Sequence, residues 1–148
     1  MRARDLAAPY PAVPMTAPAV DAARLLAQQN LPGLLVVDES GTAVAVLPGT
    51  QVLRMALPAY CVEDPTLARV VDEGAADVFI RGLDGRTVRD CLHDDHRELP
   101  IVDPDATVLE IASLMASTGT PLVAVVDENR HVLGAVTLDV LMDRVVRA

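Results

Sequence analysis

The chain has 148 residues, 51% of them hydrophobic and 22% charged, which is enough apolar material for the core of one ordinary domain or two small ones and excludes an intrinsically disordered chain. Lys plus Arg number 12 against 21 for Asp plus Glu, and the resulting net charge of −9 repels a nucleic-acid backbone. Aromatic residues make up 2% with no Trp, so no stacking platform for single-stranded nucleic acid is expected.

At the start, Met1-Arg2-Ala3-Arg4-Asp5-Leu6 places a carboxylate where a secretory signal would open its apolar region, so no export signal is expected. Ala12-Val13 predicts a short strand, and Val20, Ala23, Leu26 and Ala27 fall at helical spacing. Residues 34–37 read as a buried strand, Asp38-Glu39-Ser40-Gly41 as a hairpin turn, 42–47 as the return strand and 49–57 as a closing helix. Residues 58–85 carry Pro58, Pro65, Gly74, Gly82 and Gly85 around one short helical piece, 66–71, and are expected to form a linker. Beyond it the order recurs. An apolar stretch at 99–102 precedes a helix through Val108, Ile111, Ala112 and Met115, then strands at 123–126 and 131–136 flank the turn Asp127-Glu128-Asn129-Arg130, and a helix over 138–147 closes the chain.

Val36-Val37-Asp38-Glu39 returns as Val125-Val126-Asp127-Glu128, an offset of 89 that also pairs Val13 with Val102, Ala23 with Ala112, Leu25 with Leu114 and Pro32 with Pro121. Arg4-Asp5 matches Arg89-Asp90 at an offset of 85. The sequence therefore reads as unit 1 at residues 1–57, a linker at 58–85 and unit 2 at 86–148. The fold class expected is α/β (α+β), a tandem of β-α-β-β-α repeats packed as a pseudo-two-fold pair.

The doubled order, Thr87-Val88-Arg89-Asp90 before the second unit, the Val-Val-Asp-Glu strand ends and Gly134-Ala135-Val136-Thr137 before the last helix together resemble a CBS-domain pair, the Bateman module, over nearly the whole chain. The resemblance implies a homodimer that binds an adenine nucleotide (AMP, ADP or ATP) as a regulatory ligand between its units. It also implies control of a partner protein such as a transporter or an enzyme, with no catalysis by the pair itself. The family's nucleotide motif is Gly, two apolar residues, Thr or Ser, two variable residues, then Asp. The second copy supplies Gly134 and Thr137, but Val140 stands at the acid's position and Asp139 one residue early. The first copy departs further, with Ala45, Pro48 and Gln51 at the Gly, Thr and Asp positions. By resemblance the ligand set is therefore Val136, Thr137 and Asp139 at the phosphate and ribose, with Pro100, Thr120, Pro121 and Leu122 at the base. In purely physical terms, Thr137 can also serve as a helix cap and Asp139 as a first-turn acid.

Cys91, His93, Asp94, Asp95 and His96 offer metal-ligand types, but their spacing matches no structural-zinc pattern, so no metal is expected. Cys61 and Cys91, thirty positions apart, read as reduced cytosolic thiols. No nucleophile elbow and no Gly-rich lysine loop occurs, since all 12 cations are Arg, and the chain is expected not to be an enzyme. Uncharged apolar runs such as 55–62 and 31–37 fall short of the ~18 residues of a membrane span, so the reading is a cytoplasmic protein without membrane insertion. The competing reading is a degenerate pair that has lost its nucleotide and acts as a dimerisation or docking module.

Overall fold

The computed structural model describes residues 1–70, 74–92 and 99–147. After the single-turn helix α1 (Ala3–Leu6), the first repeat consists of β1 (Ala12–Pro14), α2 (Ala19–Gln28), β2 (Gly33–Val37), β3 (Ala43–Pro48) and α3 (Gly49–Ala56). Between the repeats lie α4 (Ala59–Glu63), a 3-10 helix (Pro65–Val70), α5 (Ala75–Leu83) and α6 (Val88–Cys91). The second repeat consists of β4 (Ile101–Val102), α7 (Val108–Thr118), β5 (Leu122–Val126), β6 (Val132–Thr137) and α8 (Leu138–Arg147).

Each repeat forms a three-stranded sheet with β2 or β5 at its centre, parallel to the first strand and antiparallel to the third. The central strands are apolar at every position because both faces are covered. Leu34 and Val36 point to the helices of the first repeat while Leu35 points to the other sheet. In the second, Val123 and Val125 face helices while Leu122, Ala124 and Val126 face the first sheet. The two sheets thus pack back to back, and Ala43, Ala124 and Ala135 keep that inner layer thin. The repeated Val-Val-Asp-Glu ends follow from the turns: Asp38 accepts from the N–H groups of Ser40 and Thr42 at 2.9 and 3.0 Å, and Asp127 does the same for Asn129 and His131. These turns meet across the pseudo-two-fold axis, where the Ala43 N–H donates to the Arg130 carbonyl at 3.1 Å.

The small helices α1 and α6 dock crosswise. Ala3 and Leu6 are buried in the core of the second repeat, and the Ala3 N–H donates to the Ala106 carbonyl at 2.8 Å. Val88 and Cys91 are buried in the core of the first, and the Val88 N–H donates to the Ala17 carbonyl at 2.9 Å. Asp5 and Asp90 each accept from the backbone N–H preceding their helix at 2.8 Å, which explains the Arg-Asp repeat.

Residues 58–85 form more than the one helical piece expected there. Pro58 and Gly74 are the N-cap residues of α4 and α5, and Pro65 opens the 3-10 helix. Gly82 lies inside α5, where that helix crosses α3. A Cβ there would stand 2.6 Å from the carbonyl carbon of Ala56 and 2.9 Å from its Cα, so only glycine permits the approach. The end of the expected piece, Val71, lies outside the described residues.

Candidate functional site

Seven residues were expected from sequence to form one ligand site, and the structure distributes them. Pro100 and Thr120 line a cavity of about 430 Å³ between the two repeats. Its opposite wall is the β3–α3 junction of the first repeat, including Ala45, Pro48 and Gln51, so the strand ends of one copy face the motif positions of the other. Thr120 and Pro121 also line a second, more apolar groove with Met115, Leu138 and Met142. The side chains of Leu122 and Val136 are fully buried, Leu122 in the layer between the sheets and Val136 under α8. Thr137 is half-buried and its Oγ1 accepts from the Val140 N–H at 3.4 Å, which is capping geometry, while Asp139 is exposed.

Along Gly134 and Ala135 the chain's own N-terminal segment packs against β6. Ala8 and Ala135 exchange backbone hydrogen bonds at 3.1 and 3.0 Å, adding a bridge to the outer edge of β6. A Cβ at Gly134 would lie 2.8 Å from the Ala8 carbonyl oxygen, so this glycine serves the close approach of that segment. Tyr10 follows, half-buried, and its hydroxyl donates to the Gly33 carbonyl at 2.6 Å. Burial raises the Tyr10 phenol above its usual range.

The two helix N-termini differ in the same sense. Leu138 and Val140, in the first turn of α8, donate to the Pro121 carbonyl at 2.8 Å and to Thr137. In α3 the Gly49 N–H donates to the Pro32 carbonyl at 3.0 Å, but Pro48 has no side-chain acceptor and no side chain caps the helix. Thr50 and Gln51, the next residues of that uncapped turn, line the 430 Å³ cavity, where backbone donors and the helix dipole favour an anion. Arg54, one turn on, lines it too, and no carboxylate among the described residues pairs with it.

Across the cavity, the hydrogen-bond direction at Thr120 follows from counting protons. Thr118 Oγ1 donates its only proton to the Leu114 carbonyl at 2.7 Å, so in its 2.8 Å contact with Thr120 it must accept. Thr120 therefore donates to Thr118, and its oxygen keeps its acceptor capacity at the cavity wall.

A CBS domain family profile matches residues 3–56 and 88–147. The chain belongs to the CBS-domain family. Among solved structures it is similar to a CBS domain-containing protein of unknown function from Kribbella flavida, with 46% identity, 99% of each chain covered and a TM-score of 0.81. The CBS-pair protein CBSX2 from Arabidopsis thaliana is 19% identical, with 99% of this chain and 94% of that chain covered and a TM-score of 0.74. CBSX2 has also been solved in complex with AMP (18% identity, coverage 99% and 96%, TM-score 0.70). The CBS-domain pair of MJ0100, solved with 5-methylthioadenosine and S-adenosylmethionine, is 20% identical, with 99% and 96% covered and a TM-score of 0.68. No curated protein matches this chain. These relatives share the tandem α+β CBS-pair fold seen here.

Cys91, the last residue of α6, is buried in the core of the first repeat, where desolvation raises its thiol above the usual range, while His93, Asp94, Asp95 and His96 lie outside the described residues. Among the described residues no group of three or more His, Cys, Asp or Glu side chains is arranged to hold a metal ion. No helix among them is long and apolar enough to cross a membrane.

Proposed function

We propose that this CBS-domain pair is a regulatory module that binds an adenine nucleotide in the cleft between its repeats and transmits occupancy to a partner protein, such as a transporter or an enzyme. The observation that carries this reading is the 430 Å³ cavity walled by both repeats, a volume within the ~300–1,000 Å³ of small-molecule sites. A ligand held by both walls favours one relative placement of the repeats, and that differential affinity is what a regulatory device needs.

The polar groups suit adenine. The Thr120 hydroxyl oxygen, free to accept at the cavity wall, suits a donor such as an exocyclic amino group, whereas the corresponding oxygen of guanine is itself an acceptor. Ala45, Pro48, Leu99 and Pro100 supply apolar walls, and Gln51 offers an uncharged acceptor to a sugar hydroxyl. AMP, S-adenosylmethionine and 5-methylthioadenosine, the molecules solved with CBSX2 and MJ0100, share an adenosine group.

Thermal-shift titration with AMP, ADP, ATP, S-adenosylmethionine and GMP tests the reading. A saturating ligand at 100 Kd stabilises the folded state by about 2.7 kcal/mol. At least one adenine compound is expected to raise the melting temperature while GMP does not. Gln51→Ala should weaken that response more than Thr137→Val, since Gln51 lines the cavity. A larger loss with Thr137→Val would move the site to the start of α8. No response to any compound would favour a docking module without ligand, a reading supported by Pro48 and Gln51 in place of the family's Thr and Asp.

A further inference from the structure

At the C-terminus of α7 two hydroxyls meet. Gly119 ends the helix with a φ of 67°, and this left-handed turn brings Thr118 and Thr120 together, their Oγ1 atoms 2.8 Å apart. Thr118 is only 7% exposed, and its Oγ1 lies 2.7 Å from the Leu114 carbonyl, one turn back. A carbonyl can only accept, so the Thr118 proton is spent there. The Ser117 hydroxyl reaches the same carbonyl at 3.2 Å, but it is exposed and can turn to water instead. Both threonines line the 430 Å³ cavity. The first repeat has no such pair: at the offset of 89, Gln29, Asn30 and Leu31 stand in place of Thr118, Gly119 and Thr120. Asn30 keeps the left-handed turn, with a φ of 54°, but Leu31 has no hydroxyl to place.

We infer that Thr118 is a positioning residue which, acting through Thr120, makes the cavity reject purines that carry a carbonyl at C6. With its own proton on Leu114, Thr118 can only accept from Thr120, and this holds the Thr120 proton away from the ligand. Thr120 then offers the cavity lone pairs alone. An amino group at C6 donates to them. A carbonyl at C6 in the same pose brings two acceptors together with no proton between them, and both lose their hydrogen bonds to water without replacement. Without the Thr118 hydroxyl, the Thr120 proton would be free to rotate into the cavity, and the site would take either base. The inference rests on the reading above, which places an adenine base in this cavity, and it adds the residue that enforces the choice of base.

Isothermal titration of the full chain with AMP against IMP, and with adenosine against inosine, tests the inference, because each pair differs only at the C6 edge of the base. The wild type is expected to bind the amino compound of each pair about tenfold or more tighter. Thr118→Val should bring that ratio to within about twofold, chiefly by improving the carbonyl compound. Thr118→Ala removes the same hydroxyl and should act alike, so the result does not hang on the folding of one variant. Thr118→Ser keeps the hydroxyl and should keep the ratio. Thr120→Val should also abolish it, but by weakening the amino compound. A purely structural role for Thr118 would weaken both members of a pair equally, so an unchanged ratio in Thr118→Val and Thr118→Ala overturns the inference. So does a wild type that binds both members equally or prefers the carbonyl compound, and in those cases the nucleotide site stands. If none of the four compounds binds, the nucleotide site falls and this inference with it.

Discussion

The Tyr10 hydroxyl donates to the Gly33 carbonyl oxygen at 2.6 Å, tying the segment that edges β6 of the second repeat to the first residue of β2 in the first. It is a side-chain link between the two halves. Tyr10→Phe keeps the ring against the inter-sheet layer and removes only the hydroxyl, so the expected loss is about 1 kcal/mol in urea unfolding. An unchanged midpoint would show that water serves the Gly33 carbonyl equally well.

The same phenol sets an alkaline limit. Its pKa in the folded state is raised above the ordinary value of 10.0, chiefly by burial, so the unfolded chain releases this proton more readily than the folded one. The associated stability is fully present below pH ~10 and is lost as pH rises through the folded value. Melting curves from pH 8 to 11 should fall more steeply above pH ~10 for the wild type than for Tyr10→Phe.

Gly82→Ala tests the helix crossing in residues 58–85. The new methyl would meet the Ala56 backbone, which cannot rotate away as a side chain could, and α5 would have to lift from α3. Overpacking of this kind costs about 1–3 kcal/mol, and the chemical-denaturation midpoint should drop accordingly. The control Gly85→Ala also costs stability, because Gly85 has a φ of 73°, but by strain alone, with nothing within 4 Å of the added Cβ.

Particular residues show where the sequence was legible. Residues 34–37 and 123–126 are apolar at every position because each strand is covered on both faces, and the expected strands lie within a residue of β2 and β5. The turns at Asp38 and Asp127 were readable because a carboxylate that accepts from the backbone two residues on is a local device. Pro58, Gly74 and Gly82 misled for the opposite reason. The first two begin helices and the third allows a helix crossing, yet all carry the composition of a loop. The site was half-legible. A motif at a strand-helix junction marks a helix N-terminus, but which strand ends face it depends on packing across the pseudo-two-fold axis, and Pro100 faces Pro48 rather than its own copy's Thr137. Arg54 carried no local signal, since its surroundings exist only once the β3–α3 junction has packed opposite Pro100 and Thr120.

Leu6→Ala probes the crosswise docking of α1. Leu6 is 5% exposed and packs with Val102, Ile111 and Leu141 of the second repeat, although it lies 96 residues before Val102 in sequence. A loss of about 2–5 kcal/mol is expected for a buried leucine truncated in a core. The loss should appear as a single cooperative transition, since α1 and α6 each complete the other repeat's core. Two separated transitions, with only one shifted by the substitution, would show that the repeats unfold independently.

The last prediction concerns α8. Within this ten-residue helix Leu141 is buried, whereas Met142 and Val145 are each 53% exposed and Val146 is 74% exposed. Leu138 extends the same apolar surface toward the groove lined by Met115 and Pro121. Such a surface on a chain of net charge −9 is expected to be covered by a second copy of the chain. Apolar contact favours that association while like charge opposes it, so the dimer should tighten from low to moderate salt as screening weakens the repulsion. Light scattering should give about twice the 15.7 kDa chain mass. Met142→Asp combined with Val145→Asp should return the protein to a monomer without lowering its intrinsic fold stability much, because neither side chain lies in the core. A wild-type mass of 15.7 kDa at micromolar concentration and moderate salt would rule the dimer out.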